Sequence, residues 1–371
     1  MSTDKIQLEC GHQVPASSGH TWHEIRQQPA LWPTTLAIVQ EANTRLQIDR
    51  KLKNGRVLIT GAGTSAYAGA AVAAAWPGAM AVPSTDLLFS TERCTKDALA
   101  LISLARSGNS PESMAVVNRV HRWRPDIWQL AITCNANGAL ATSSLVDSII
   151  LDPRTNDQSL VMTSSFSNLL LGGLCLVQRD GIKPLIAMAV AAVQAKFELI
   201  NQKMSDVARG VEDRVLLLAS ASLFGCALEG ALKVMEMTAG RFPVIAETFL
   251  GLRHGPMSFI RPNTRVVCLM SNDARVRRYE QDLVCELREK RLGYLIGICD
   301  DNPDLQAESE LFDCAIPALL PHAPDDLRAP FEILGLQLLG YHLSLLSGLN
   351  PDSPSPGGVI NRVVQGVRTY E

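Results

Sequence analysis

Residues 56–76, RVLITGAGTSAYAGAAVAAAW, recur in outline 158 residues later as RVLLLASASLFGCALEGALKVMEM, beginning at Arg214. Two further pairs follow in the same order. ALISLARSGN from Ala100 pairs with TRVVCLMSND from Thr264, and LAITCNAN from Leu130 pairs with YLIGICDDN from Tyr294, which aligns Cys134 with Cys299 at an offset of 165. Ordered matches at a nearly constant offset mark an internal duplication. In each copy a short apolar run ends in a small-residue turn and gives way to a helical stretch. Repeating that unit builds an α/β fold, a parallel sheet with helices on both faces. Two such units also suit 371 residues at about 150 per domain.

The chain therefore divides into an N-terminal arm and helices over 1–50, a first α/β domain over 51–200, a second over 201–348, and an irregular Pro/Ser/Gly-rich tail over 349–371. Thr21 and Glu24 have capping-box spacing, which predicts a helix start, and Pro29 predicts the opening of a second helix through about Leu46. Further strands are expected at Ala100–Leu104, in WQLAITCNANG and in SIILDP, and TSSFSNLLL sets hydroxyls ahead of another helix. An Ala/Val-rich helical connector, Ile186 to about Val207, joins the two copies.

Composition removes several functions. With 34 basic and 37 acidic residues the net charge is −3, with no single-sign block, which argues against a nucleic-acid partner. The longest apolar runs, Leu169–Val177 and Leu185–Val193, fall short of the roughly 20 residues of a membrane span, so no membrane partner is expected. The N-terminus shows no export signal, which places the mature start near Met1. Nine cysteines without a C-x-x-C pair read as reduced, buried thiols of a cytoplasmic protein. Seven histidines without H-x-x-x-H or Cys/His clustering give a metal site no support.

Two loops could bind a ligand. Gly61-Ala62-Gly63-Thr64-Ser65-Ala66 satisfies the dinucleotide pattern G-x-G-x-x-G/A after a strand, with Asp86 25 residues beyond Gly61. The same loop, with Gly63, Thr64 and Ser65 at a helix start, equally makes a cradle for one phosphate. Arg106-Ser107-Gly108-Asn109-Ser110, at the end of the next strand, again offers hydroxyls at a helix start, and two such loops suit a phosphomonoester better than a pyrophosphate. Each loop taken alone could be ordinary N-capping. In the second copy Glu229, Lys233 and Glu236 stand at i, i+4 and i+7 among apolar neighbours, on one helix face. That face is either a salt-bridged stripe or an acid/base surface. His254, between Arg253 and a Gly-Pro turn, is either a surface histidine or a positioned acid/base group.

Together, strand-GxGTS-helix, ARSGNSPES, ITCN, MTSSF, ALEGALKVMEM and LRHGP resemble the double sugar isomerase (SIS) domain proteins. They resemble most closely the galactosamine-6-phosphate deaminase/isomerase branch, also called tagatose-6-phosphate ketose/aldose isomerases, and more distantly the isomerase half of glucosamine-6-phosphate synthase. The resemblance runs from about Thr21 to NRVVQGV and implies two flavodoxin-like domains. It implies that Thr64, Ser65, Ser107 and Ser110 hold a sugar 6-phosphate, with Gly63, Arg106 and Asn109 in the same loops and Ser164 and Ser165 near the sugar. Glu236 matches the base, with Glu229 and Lys233 on the same face, and His254 matches a ring-opening residue contributed by a neighbouring subunit of a homo-oligomer. No cofactor is implied.

The expected reaction converts galactosamine 6-phosphate to tagatose 6-phosphate and ammonia. The alternatives are glucosamine-6-phosphate deamination, plain aldose–ketose isomerisation, a sugar-phosphate sensor and a nicotinamide dehydrogenase. Three departures from the resemblance stand out. Ala219-Ser220-Ala221-Ser222 replaces a glycine-containing loop in the second copy, Met257 stands where lysine often follows HGP, and the tail carries Arg362 and Arg368 but no lysine.

Overall fold

In the computed structural model the duplicated grammar is realised as two five-stranded sheets in which every pairing is parallel. Residues 19–53, 55–177, 179–300, 310–364 and 366–370 are described. The arm over 1–18, and Asp301 and Asn302 of the third repeat pair, lie outside them. The first sheet comprises β1 (Arg56–Thr60), β2 (Ala79–Ala81), β3 (Ala98–Ala105), β4 (Trp128–Thr133) and β5 (Asp147–Ile150), in the order β2-β1-β3-β4-β5. The second comprises β6 (Val215–Ala219), β7 (Val244–Thr248), β8 (Arg265–Leu269), β9 (Tyr294–Cys299) and β10 (Cys314–Pro317), in the order β7-β6-β8-β9-β10. The two orders are identical once the offset is removed. It is the doubly wound 2-1-3-4-5 arrangement, whose ligands bind beyond the carboxyl ends of the strands where the order reverses. β1 and β6 are buried almost throughout because helices cover both faces, which is why their sequences run apolar without alternation.

Numbering only helices longer than two turns, α1 is His20–Leu46, α2 Thr64–Ala74, α3 Ser84–Thr95, α4 Pro111–Trp123, α5 Ser164–Cys175, α6 Arg179–Arg209, α7 Phe224–Met237, α8 Ala274–Glu289 and α9 Asp325–Leu346. One apolar core joins the halves, from Val57, Ile102 and Ile132 of the first sheet to Leu217, Val267 and Ile298 of the second. α6 runs unbroken across residue 200. By length and composition it could span a bilayer, but Ile182, Ile186, Ala189, Val193, Ile200 and Met204 on its inner face are packed into this core.

The N-terminal region departs from expectation. Pro29 does not open a second helix, because α1 is continuous and contains both Pro29 and Pro33. A proline within a helix costs it one backbone hydrogen bond. Here Ile25, Leu31, Trp32 and Val39, all sealed in the core, offset it, and Trp32 packs edge-on against Phe331 at 4.8 Å. Nor is the start a capping box. Asp352 of the tail takes the amides of His20 (2.9 Å) and Thr21 (2.7 Å) and the Thr21 hydroxyl (2.8 Å), leaving Glu24 for a different task.

Candidate active site

The loop after β1 is tight for a physical reason. A Cβ on Gly61 would fall 2.7 Å from the backbone carbon of Ser65, and Gly63 holds φ 54°, so glycines let the chain reverse directly into α2. After β3, Gly108 (φ 67°) turns the chain toward Pro111 at the first position of α4. Between the two loops lies a cleft of about 170 Å³, lined by Gly63, Thr64, Ser65, Arg106, Ser107 and Ser110 of the first half, by Glu236 of the second, and by tail residues 360–364.

α7 meets α2 at Gly225, where a Cβ would lie 2.8 Å from that of Ala71 and 2.9 Å from the Tyr67 carbonyl oxygen. This close approach brings the expected helix face onto Thr64. The Lys233 ammonium lies 3.2 Å from Glu229 Oε1, 2.6 Å from Glu236 Oε2 and 3.2 Å from Thr64 Oγ1, and the Thr64 hydroxyl donates to Glu229 Oε1 at 3.3 Å. Glu229 and Lys233 are sealed from solvent, while the Glu236 side chain is 23% exposed and faces the cleft. Burial opposes the charge of Lys233, but Glu229 and Glu236 outweigh it and hold the lysine above its ordinary value. Burial pushes Glu229 up to about 7 against the pull of Lys233, and its Oε2 has no hydrogen-bond partner among the described residues. The Tyr67 hydroxyl is also raised, by burial and then by the two carboxylates.

The cleft also carries two arginines. Arg106 is 6% exposed, and burial lowers its pKa while Asp157 partly restores it. Its guanidinium donates to the carbonyls of Leu160 (3.0 Å), Ser159 (3.4 Å) and Arg362, and makes no ion pair with a carboxylate among the described residues. Arg362, brought in by the tail, donates to the Asp157 carbonyl (2.8 Å) and Asn156 Oδ1 (2.7 Å) and lines the same cleft. Two guanidiniums bonded to neutral oxygens, beside serine and threonine side chains and two helix starts, make a site for an anion.

Five sequence-predicted residues lie elsewhere. Asn109 does not line the cleft, since its Oδ1 accepts the Ala139 amide at 2.9 Å and secures the helical turn at 139–142. Ser164 and Ser165 are fully buried at the start of α5, where their hydroxyls serve the Asp157 carboxylate. His254 is exposed on its turn and does not line the cleft of its own chain. Asp86, the residue a dinucleotide would need, lies beside Phe89 in a separate surface hollow. Conversely, sequence reasoning gave no role to Arg362, Ser113 or Tyr67. Only a tail arginine near an otherwise lysine-free terminus hinted at the first.

In the second half, Ala221 repeats the left-handed turn of Gly63 at φ 49°, but Leu223 replaces Ser65. Its counterpart of the Arg106–Ser110 loop is filled from within. The Asp325 carboxylate accepts from the Ser271 hydroxyl and the Asn272 amide (3.0 Å), backed by Arg328 at 2.8 Å.

No family model matches the chain. It is 35% identical to an AgaS protein of Streptomyces coelicolor, over 96% of this chain and 97% of that one. It is 33% identical to the D-galactosamine-6-phosphate deaminase AgaS of Escherichia coli O157:H7, over 95% and 96% of the respective chains. Among solved structures, the tagatose-6-phosphate ketose/aldose isomerase of Escherichia coli superposes with a TM-score of 0.79 at 29% identity, covering 95% of this chain and 99% of that one.

Proposed function

The chain belongs to the AgaS family of D-galactosamine-6-phosphate deaminases, and from that premise we propose that it converts galactosamine 6-phosphate to tagatose 6-phosphate and ammonia. One observation carries the proposal. Glu236, 2.6 Å from the Lys233 ammonium, lines the same cleft as Arg106, Arg362 and the hydroxyl-bearing residues Thr64, Ser65, Ser107 and Ser110.

The phosphate occupies the hydroxyls and arginines of the cleft, and binding energy there fixes C1 and C2 beneath Glu236. Ring opening needs a proton moved between ring and anomeric oxygens. His254, exposed on its turn, supplies it to the cleft of a neighbouring copy in a homo-oligomer. Glu236 then takes the C2 proton and returns it to C1. With an amine proton passing to O1, the 2-amino aldose thereby becomes a 2-imine with a C1 hydroxymethyl group. Water adds to C2, the C–N bond breaks, and ammonia leaves a C2 ketone. Lys233, held cationic by its two carboxylates, neutralises Glu236 while the carboxylate waits for its proton.

A second reading is plain aldose–ketose isomerisation, favoured by the name of the Escherichia coli structure. Incubation with galactosamine 6-phosphate, glucosamine 6-phosphate and tagatose 6-phosphate, with ammonia and ketose assayed separately, decides between them. Ammonia in step with ketose from galactosamine 6-phosphate is expected. Ketose chemistry without ammonia from either amino sugar would leave the isomerase reading.

A further inference from the structure

Segment 156–160 joins both cleft arginines to a carboxylate that never reaches the cleft. On one side its acceptors face the guanidiniums, with Leu160 O and Ser159 O toward Arg106, and Asp157 O and Asn156 Oδ1 toward Arg362. On the other side Glu24 of α1 accepts from the amides of Gln158 and Ser159 (the latter at 3.2 Å) and from the Ser159 hydroxyl. The Asp157 side chain turns away to α5, taking the amides of Thr163 (2.7 Å) and Ser165 (2.9 Å). Ser159 is the pivot. Its amide and hydroxyl bind Glu24 while its carbonyl receives Arg106. Glu24 is 4% exposed and sits one residue before Ile25, which is locked in the core, so its carboxylate is fixed relative to both sheets. A fixed acceptor for three donors sets where the carbonyls on the far side of the segment point, and they set where the guanidiniums point.

We propose that Glu24 is a positioning residue for phosphate binding: by holding Gln158 and Ser159 it aims Arg106, and through the same segment Arg362, into the cleft. This rests on the phosphosugar reading above. Replacing Glu24 by Ala strands the buried Ser159 amide, removes the acceptor of the Gln158 amide and frees the segment. Replacing it by Gln keeps an oxygen that both amides can reach.

The test compares Glu24→Ala and Glu24→Gln with the wild-type chain, measuring inorganic phosphate binding by calorimetry, KM and kcat with galactosamine 6-phosphate, and the thermal midpoint. Glu24→Ala is expected to raise the phosphate Kd and KM about tenfold with kcat within about twofold, and Glu24→Gln to stay within about threefold throughout. A lower thermal midpoint with unchanged phosphate Kd and KM overturns the proposal and leaves Glu24 structural only. If the Ala variant does not fold, Ser159→Ala removes the hydroxyl's contacts with Glu24 and the Val161 carbonyl and keeps the backbone amides. It is expected to weaken phosphate binding about two- to threefold, and unchanged binding overturns the proposal equally. A wild-type chain that binds phosphate but releases no ammonia retires the reaction and leaves Glu24's role to be decided by the phosphate arm. One that binds no phosphate overturns both.

Discussion

Gly63 and Ala221 stand 158 residues apart at equivalent positions, and both hold left-handed backbone angles, φ 54° and φ 49°. For glycine the conformation is free, whereas an L-residue gives up roughly 1–2 kcal/mol to adopt it. The second half keeps the turn that starts its helix without the side chains that follow that turn in the first half. Beyond Gly63 come two hydroxyls facing a cleft. Beyond Ala221 come Ser222, whose buried hydroxyl has no partner among the described residues, and Leu223. The neighbouring loops diverge likewise, with Arg106 and Ser107 facing the cleft in one half and Asp325 filling the other. On the proposed reading the duplicated unit divides its labour, with anion binding in the first half and the acid/base helix α7 in the second, and the two meet where Gly225 lets α7 touch α2.

The comparison can be broken at several points. The largest effect is expected from Glu236→Gln, which removes the acid/base group while keeping its shape. Turnover should fall by about 10²- to 10⁴-fold with substrate binding retained, as read by ammonia release and by C2 deuterium exchange. Retained exchange would show that the second half does not supply the base.

Glu280 tests whether the second half still carries a cost without a catalytic return. Burial pushes its carboxyl up to about 7, and its Oε1 has no hydrogen-bond partner among the described residues. A carboxyl raised in the folded state favours the fold below about 4.5, and that advantage is lost as pH rises through about 7. Glu280→Gln should therefore gain stability relative to wild type between those values, by up to about 3 kcal/mol above pH 7, with activity unchanged. Urea unfolding at pH 5 and pH 8 measures it. A constant difference across that range contradicts the assignment.

Thr64→Ala with Ser107→Ala should raise KM for a phosphorylated substrate about 10- to 30-fold. Ser222→Ala, the second-half counterpart of the first change, should leave KM where it is. A rise in KM from Ser222→Ala in steady-state assays would mean that both halves bind substrate.

The sequence revealed what is local. The strand-turn-helix units, the two hydroxyl loops and the Glu229, Lys233, Glu236 face depend on neighbours within one turn or one helix, and the structure brings all three together. What escaped depends on distant chain. Arg362 meets Arg106 across 256 residues, and Asp352 caps α1 across 332. Asn109, Ser164 and Ser165 look the same in sequence whether a helix-start side chain serves a ligand or another part of the fold, and here the fold takes them. α9 gave no signal because it is buried nearly all round and lacks the polar stripe that marks an amphipathic helix. Pro29 was ambiguous in the same way, since a first-turn proline and a tolerated interior one are spelled alike.

The division of labour is tested most directly by a crystal structure with 2-amino-2-deoxygalactitol 6-phosphate, an open-chain analogue that cannot react. The account predicts phosphate oxygens within hydrogen-bond distance of Thr64, Ser107 and Arg106, with C2 against the Glu236 carboxylate. Phosphate bound instead at Ala221 and the Ser271–Asn272 loop, with Asp325 displaced, would contradict it.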